Sequence, residues 1–450
     1  MKQKISEAVE KNRKLILETQ NYIWSNPETG YRENKTSRYL ENLFTDLGYD
    51  IVRAGDIPGF YTVLDTGRPG PEILIFGEMD SLLCATHPDA DPETGAVHCC
   101  GHSAQCAALA GVAAALREPS VRDLLCGRIR LCAVPAEELI EIEYRNELRK
   151  QGKIRYYGGK TEFLRRGYFD GADLAFMVHT TPGNTFSVNA GGVGCLAKKV
   201  IYRGKSAHAG GAPWNGKNAL YAATLGLNAI NALRETFREQ DIIRVHPIIT
   251  QGGGAVNAIP DTVILESYVR GSSFEAIRDA NDRVNRAICG SAVSLGVQVD
   301  IQDYPGYAPY RNDSGMIDVA EDALKVIAPE RSFRRTGVIT SGSTDMGDIS
   351  CVMPMIHPYA PGATGTSHGA DYRIENTETA LILSAKWQLA MLALLLADGG
   401  SRALRIKEEY QPPFLSKDQY LAYLDQLISS GERINYQEDG NVRIQLFRKN

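Results

Sequence analysis

The stretch EILIFGEMD, residues 72–80, decides the fold, because its short apolar run ends in two acidic side chains. The same pattern recurs in IRLCAV at residues 129–134 and in LAFMV at residues 174–178. Short apolar runs separated by helical patterns are typical of buried parallel strands in an α/β layer. The sequence therefore predicts an α/β fold in which helices flank a mostly parallel sheet.

Polar side chains follow each of these three runs. Glu78 and Asp80 close the first run, Glu137 and Glu138 follow the second, and His179 follows the third. In an open α/β sheet the functional site lies outside the carboxyl ends of the strands. We therefore expect these side chains to meet at one edge of the sheet.

The chain changes character between residues 187 and 304, where strand, helix, strand, strand, helix and strand patterns alternate with glycine-rich joints. The α/β pattern of the first part resumes from Asp313. We therefore expect a discontinuous first domain formed by residues 1–186 and 305–400. Residues 187–304 then form an inserted α+β domain, and residues 401–450 form a C-terminal extension.

The composition excludes several classes of protein. Of 450 residues, 43% are hydrophobic and 23% are charged, which is ordinary for a folded globular chain. A net charge of −5 without a basic tract argues against binding to nucleic acid. The most apolar stretch, residues 389–397, is too short to cross a bilayer and predicts a core helix, so no membrane partner is expected.

Two further features bear on location and redox state. The first 20 residues are amphipathic and lack the apolar segment of a secretory signal, so a cytoplasmic location is expected. The nine cysteines are odd in number and irregularly spaced. They predict reduced thiols rather than a disulfide framework.

Cys100 and His102 flank a glycine at the start of an apparent helix. A helix N-terminus lowers the pKa of a thiol, and a thiolate with an imidazole could bind a borderline-soft metal. Alone, the pair is weak evidence for a metal site, because a buried cysteine beside an incidental histidine is the more common arrangement.

Other side chains favour the metal site over the structural alternative. Glu137 and Glu138 emerge where a strand turns, so that one can bind a metal while the other acts as a base, although a solvated acidic pair opening a helix is the alternative. His179 could be a core histidine, whereas His368 lies in a loop that offers no packing reason for an imidazole. Together with Cys100 and His102, these residues supply enough ligands for two divalent metals plus one free glutamate.

The sequence also resembles a known family over residues 10 to 400. This family comprises the dinuclear metalloamidohydrolases of the aminoacylase and carboxypeptidase type in peptidase clan MH, and the resemblance is to the branch with a Cys-Gly-His motif. The motif at residues 342–348, GSTDMGD, is further similar to the aminobenzoyl-glutamate hydrolase subgroup. The other matched pieces are residues 26–30 (NPETG), 77–80 (GEMD), 98–102 (HCCGH), 135–138 (PAEE), 206–209 (SAHA), 257–261 (NAIPD), Arg270 and 367–368 (SH).

The resemblance implies a role for each matched residue. Glu137 is expected to be the general base, and Asp80 to orient a metal-binding imidazole. His208, in the inserted lid and dimerisation domain, is expected to reach the active site of a partner subunit and stabilise an oxyanion, which implies a homodimer. The expected metal ligands are Cys100, His102, Glu138, His179 and His368.

The resemblance also implies how substrate is held. Asn257 and Arg270 are expected to bind substrate, because arginine holds a carboxylate with two hydrogen bonds. A structural pairing of Arg270 with Glu266 is the alternative. Ser103 and Gln105 depart from the family pattern, in which an acidic or amide residue and a second histidine are common. A thiolate ligand favours Zn over Mn for the two divalent ions, and Co and Ni are also compatible.

The expected function is that of a metal-dependent amidohydrolase acting on a small molecule. Its substrate joins an acyl, aminobenzoyl or aminoacyl group to an amino acid with a free carboxylate. A dipeptidase and a catalytically silent subunit of a heteromeric enzyme are the rival hypotheses. The basic segment 144–155 either faces an anionic substrate or forms a solvated helix face.

Overall fold

A computed structural model describes residues 1–446 of the chain and contains a six-stranded mixed sheet at its centre. Four neighbouring strands, from Arg128–Val134 to Met355–Ile356 at one edge, run parallel, and the other two strands are antiparallel and form the opposite edge. This arrangement confirms the predicted mostly parallel α/β sheet. In spatial order the strands are Val52–Arg53, Phe60–Asp65, Arg128–Val134, Glu72–Glu78, Leu174–Phe176 and Met355–Ile356.

Helices bury both faces of this sheet, which explains why its strands read as continuous apolar runs. In strand Glu72–Glu78, Ile73 and Ile75 belong to one apolar core, whereas Leu74 and Phe76 belong to the core on the other face. The helices of the first domain and its C-terminal continuation are Lys2–Lys11, Arg13–Trp24, Asn34–Asp46, His102–Leu116, Pro119–Arg122, Ile142–Lys150, Gly159–Arg165, Ser314–Ile327, Met346–Ser350, Ser384–Leu396, Ser401–Glu409 and Lys417–Leu427.

The apolar helical run Glu378–Leu396 begins with a π-helical segment, Glu378–Leu383. It is long and apolar enough to cross a membrane, but 83% of its apolar window is buried inside the protein. Residues 389–396, within the predicted core helix, pack against helix His102–Leu116 and its neighbours.

The inserted domain is built on a second, antiparallel sheet. Side chains along strand Thr262–Gly271 alternate between buried and half-buried positions, because helices Ala219–Ala232 and Phe274–Ser294 cover one face only. The chain therefore combines a catalytic α/β domain with an inserted α+β domain, as predicted. The strands of the inserted sheet are Gly194–Arg203, Arg244–Val245, Ile248–Gln251, Thr262–Gly271 and Gln298–Tyr307.

The remaining strands form small sheets around the carboxyl edge of the central sheet and in the C-terminal extension. The extension joins the two domains, because the Tyr420 hydroxyl donates to Asp348 while the backbones of Ser429 and Asp303 exchange hydrogen bonds of 3.0 and 2.7 Å. The small strands are Leu82–Leu83, Ala96–Val97, His179–Pro182, Phe186–Val188, Gly191–Gly192, Tyr310–Arg311, Phe333–Arg335, Ile339–Thr340, Tyr359–Thr364, Arg373–Ile374, Ile434–Tyr436 and Val442–Ile444. Short 3-10 turns occupy Pro213–Asn215, Arg234–Thr236, Glu239–Asp241 and Asp398–Gly400.

Candidate active site

The carboxyl ends of the central strands meet the start of helix His102–Leu116. Gly101 precedes this helix with φ of 112°, a left-handed conformation that glycine adopts readily, and its missing Cβ avoids the backbone of Thr180. This turn brings Cys100 and His102 to the edge of the sheet where His179 emerges. The predicted convergence of polar side chains at the strand ends is therefore observed.

The backbone and carboxylate of Asp80 hold the imidazole of His102. Nδ1 of His102 donates to the Asp80 carbonyl at 2.9 Å and lies 3.3 Å from Asp80 Oδ1. The other carboxylate oxygen, Oδ2, accepts the backbone N–H of Glu138 at 2.7 Å. Asp80 thus orients one predicted metal ligand and the backbone of another, as is common in the outer shell of metal sites.

His179 is also held by one ring nitrogen. Its Nδ1 donates to the Thr180 carbonyl at 2.8 Å, and its Nε2 lies 3.4 Å from Cys100 Sγ. Burial, and then the charge of His102, lower the pKa of His179 to about 4. A neutral imidazole with a free Nε2 is the form that binds metals.

The five predicted ligands form two groups that share Cys100. Within each group, all donor atoms lie within 4.8 Å of one another. His368 joins the second group from its Gly-rich loop, with Nε2 3.4 Å from Glu138 Oε1. The first group is Cys100, His102 and His179, and the second is Cys100, Glu138 and His368.

These donors suit two divalent cations. Nε2 of His102 is buried and accepts or donates no hydrogen bond among residues 1–446, although Glu78 Oε2 is 3.2 Å away. A buried, unsatisfied nitrogen is costly unless something binds it. A thiolate, three imidazoles and a carboxylate are ligands typical of Zn and its neighbours in the first transition series.

Glu137 lies beside the ligand set but belongs to neither group that contains Cys100. Its Oε2 is 3.8 Å from His102 Nε2, and Tyr307 donates its hydroxyl to the Glu137 carbonyl. Burial, followed by the charges of Glu78 and Glu138, raises the pKa of the Glu137 carboxyl well above its usual range. A raised pKa suits a carboxylate that accepts a proton near neutral pH.

A cavity of about 410 Å³ opens over these residues and extends to the inserted domain. Arg270, on strand Thr262–Gly271, lines this cavity together with Glu137 and His368. The alternative pairing with Glu266 does not occur, because Arg270 lies four positions further along an extended strand, about 13 Å away. Within the described part of the chain, no carboxylate forms an ion pair with Arg270.

His208 and Asn257 do not line this cavity. Both are exposed on a loop pair of the inserted domain, where the backbone of Ala209 donates to the Asn257 carbonyl at 2.9 Å. Nδ1 of His208 accepts hydrogen bonds from the backbone of Gly210 and Gly211 at 3.1 and 2.9 Å, which leaves Nε2 facing outward from this local turn.

Sequence reasoning missed a buried cluster of charges beneath the ligands. Lys160 Nζ contacts Glu78 and lies 2.6 Å from Asp345 Oδ1, and all three side chains are fully buried. The sequence marks Glu78 only as a polar residue at a strand end, and Asp345 only as part of the motif at residues 342–348. Nothing in the sequence around Lys160 indicates a buried cation. His357, another residue that the motifs do not include, lines the cavity.

Comparison with known proteins agrees with this geometry. The family model described as peptidase family M20/M25/M40 matches residues 74–393, a range that contains all five predicted metal ligands. The chain is 28% identical over 384 residues to an Xaa-Arg dipeptidase from Mus musculus, covering 80% of this chain and 79% of that relative.

Two further similarities concern relatives of different kinds. The chain is 27% identical over 315 residues to one of the subunits of p-aminobenzoyl-glutamate hydrolase from Escherichia coli (strain K12), covering 66% of this chain and 59% of that relative. The solved structure of a dinuclear metal-binding peptidase of the M20 family from Bacillus subtilis superposes with a TM-score of 0.62 at 18% identity. That superposition covers 86% of this chain and 99% of the solved chain, and it shows a shared fold.

Proposed function

This chain belongs to peptidase family M20/M25/M40 and is a metal-dependent hydrolase of amide or peptide bonds, and from that premise we propose that it removes an acyl group from an amino acid with a free α-carboxylate. The observation that carries the proposal is Arg270, which lies without a carboxylate partner among the described residues in the same cavity as Glu137. A guanidinium in this position suits a substrate carboxylate.

The cavity favours an N-acyl amino acid over a dipeptide. Among the described residues that line it, the carboxylates are Glu137 and Glu138, and both have roles at the metal centre in this proposal. The free amino group of a dipeptide is cationic, and a further carboxylate is the partner that best offsets the desolvation of a cation. Acyl and aminobenzoyl groups have no such charge, and the apolar side chains of Leu82, Leu139 and Ile140 suit them. The similarity to an Xaa-Arg dipeptidase makes dipeptides the second class to test.

The proposed mechanism assigns proton transfer to Glu137. Two divalent ions, when bound, lower the pKa of water and polarise the scissile carbonyl. Glu137 takes the proton that the attacking water loses, and it returns that proton to the nitrogen of the leaving amino acid. The C–N bond breaks, so that a carboxylic acid and an amine are the products. Arg270 holds the α-carboxylate of the leaving group throughout.

We assign the metal pair to Cys100, His102, Glu138, His179 and His368, with Zn as the favoured ion. The thiolate of Cys100 belongs to both donor groups, and a soft ligand disfavours Mn. Co and Ni are compatible with the same donors. Elemental analysis of the purified protein, before and after reconstitution with each ion, measures stoichiometry and preference.

A homodimer would complete the site with His208. Strand Ile248–Gln251 is an edge of the inserted sheet with all four residues exposed, and Trp214 and Val256 are exposed apolar side chains on the same domain. Unpaired edges and exposed apolar side chains favour association. In this proposal His208 of one copy reaches the cavity of the other, where it stabilises the oxyanion, while Asn257 contacts substrate.

The first experiment is an amine-release assay over N-acyl amino acids, aminobenzoyl-glutamate and dipeptides with the metal-loaded protein. Turnover of N-acyl substrates supports the proposal. Turnover of dipeptides alone establishes the dipeptidase, and a metal-loaded protein that hydrolyses none of the three supports the silent subunit.

The variant Glu137→Gln tests the base. It should keep two metals per chain and lose roughly 10²- to 10⁴-fold in kcat, the usual contribution of general-base catalysis. Retained turnover removes Glu137 from the mechanism.

Mixing tests the shared site. Inactive Glu137→Gln and His208→Ala subunits should regain partial activity after subunit exchange, because one of the two sites in the heterodimer has both residues intact. Exchange without any regain contradicts a role for His208 across the dimer.

A further inference from the structure

The turn that carries Glu137 and Glu138 has a strained backbone. Ala136 adopts φ of 55°, in the left-handed region that a residue with a Cβ seldom occupies. Ala136 lies two residues beyond the end of strand Arg128–Val134. The two adjacent glutamates face different partners, His102 for Glu137 and His368 for Glu138.

Two fully buried side chains hold this turn from behind. The Oε1 atom of the Glu33 carboxyl group accepts the backbone N–H of Ala136 at 2.7 Å. Arg145 Nη1 donates to the Ala136 carbonyl at 3.4 Å and to the Tyr157 carbonyl at 2.6 Å, and Nη2 donates to the Glu138 carbonyl. The Ala136 carbonyl also accepts the backbone N–H of Gly159 at 3.3 Å. Side chains that do not line the cavity therefore contact both polar groups of Ala136 and the carbonyl of Glu138.

The packing around the turn leaves no room for a Cβ at two neighbouring glycines. A Cβ added to Gly30 would lie 2.4 Å from Arg145 Nη2, and one added to Gly159 would lie 1.7 Å from the Pro135 carbonyl oxygen. Two glycines thus allow the guanidinium and the neighbouring helix to approach the turn closely.

The basic segment 144–155 does not face the substrate cavity, and its residues differ in exposure. Lys150 and Lys153 are exposed, as a solvated helix face predicts, but Arg145 is fully buried and faces neither solvent nor the substrate cavity. A buried guanidinium is costly unless its donors are satisfied, so a residue of this kind needs a specific purpose.

We propose that Arg145 and Glu33 are positioning residues that clamp the turn at Ala136, so that Glu137 points at the reacting water and Glu138 at its metal. The proposal rests on the roles proposed above for the two glutamates. Neither Arg145 nor Glu33 touches substrate. Each acts through the backbone that it binds.

The test compares Arg145→Lys with Arg149→Lys in the full-length, metal-loaded enzyme. Lysine cannot bond two carbonyls in the geometry of a guanidinium. Arg145→Lys should lower kcat at least tenfold with KM within threefold of the wild type. Its Zn affinity, measured by competition with a chelating dye, should fall about 10- to 100-fold, as is typical when a partner outside the first shell is lost. Arg149, which stacks over Tyr304 at 4.4 Å outside the turn, is the matched control and should keep kcat within twofold.

A second pair of variants tests the clamp with Arg145 intact. Glu33→Ala removes the acceptor for the Ala136 N–H and should lower kcat at least tenfold. Glu33→Gln keeps an acceptor oxygen there and should recover kcat to within about threefold of the wild type. If Arg145→Lys does not fold, the two Glu33 variants test the clamp on their own.

Three results would overturn the proposal. One is a folded Arg145→Lys and a folded Glu33→Ala that both retain wild-type kcat and Zn affinity. Another is equal loss in Glu33→Ala and Glu33→Gln. The third is failure of both Arg145→Lys and Glu33→Ala to fold, which assigns these residues to stability. Glu137→Gln, assayed in parallel, separates failure of the clamp from failure of the proposed function. Retained turnover in Glu137→Gln contradicts the proposed function. The Zn affinity of the Arg145 and Glu33 variants still tests the clamp in that case, because it depends on Glu138.

Discussion

Replacing the buried Lys160 with methionine should destabilise the fold by about 4 kcal/mol at pH 7. Lys160 is fully buried between Glu78 and Asp345, which are fully buried as well. Burial acts to raise the pKa of Glu78, but the ammonium of Lys160, together with the charges of His102 and His179, outweighs burial and lowers that pKa to about 2. Removing one member of a buried ion pair leaves an uncompensated charge and costs about 3–5 kcal/mol.

The magnitude also follows from proton binding. Without Lys160, the least costly response is protonation of Glu78, whose ordinary pKa is about 4.3. Holding that proton at pH 7 costs about 1.4 kcal/mol per pH unit above this value, or about 4 kcal/mol. At pH 5 the same proton costs about 1 kcal/mol.

The direction of the pH dependence is therefore defined. In the variant, the pKa of Glu78 in the folded state is raised above its value in the unfolded state. The resulting penalty grows as pH rises above the unfolded pKa and is relieved as pH falls towards it. The wild-type protein differs, because its Glu78 stays ionised throughout this range. Burial raises the pKa of Asp345 to about 6 in the wild type already, so the titration of Asp345 contributes to the pH dependence of both proteins and largely cancels in the comparison. The destabilisation should consequently shrink by about 3 kcal/mol between pH 7 and pH 5.

The assay is urea unfolding of chelator-treated, metal-free protein at both pH values, so that metal binding does not contribute. The control is Lys150→Met, which breaks an exposed pair with Glu147 whose side chains are 69% and 47% exposed. Exposed pairs contribute less than about 1 kcal/mol, with little change between the two pH values. A Lys160→Met protein within 1 kcal/mol of the wild type at pH 7, or equally destabilised at pH 5 and pH 7, would refute the reasoning.

Three further predictions concern the cavity, the inserted domain and the C-terminal extension. Arg270→Lys should raise KM for an N-acyl amino acid about tenfold or more but leave the substrate's carboxamide analogue little affected, because an ammonium lacks the planar fork that presents two parallel donors to a carboxylate. Steady-state kinetics on both compounds measures this. Ile248→Lys should shift the protein to monomer in sedimentation experiments, because a charge on the exposed edge strand blocks pairing with a second copy. Burial raises the pKa of Asp348 to about 7, so folding becomes less favourable as pH rises from about 4 to 7. Asp348→Asn should lose this part of the pH dependence in urea unfolding of the metal-free protein. An unchanged pH profile in Asp348→Asn would contradict this prediction.

Much of the candidate site could be predicted because its residues follow strand ends. Glu78, Asp80, Glu138 and His179 each lie within a few residues of a buried apolar run, and parallel strands bring their carboxyl ends to one edge. The family inferred from the motifs is confirmed by the match over residues 74–393.

The sequence by itself determined the α/β architecture with an inserted domain and named the side chains that we propose as metal ligands, because local periodicity encodes the first and short motifs the second. Only the tertiary structure decided that Lys160 is a buried cation and that Arg145 turns inward to hold Ala136. Lysine and arginine are usually solvated, and nothing in their neighbours along the chain distinguishes these two from the exposed Lys150. Lys160 is buried by carboxylates that lie 82 and 185 positions away in sequence. The carbonyl partners of Arg145 lie only 7 to 12 positions away, but they face its guanidinium only once the turn at Ala136 has formed.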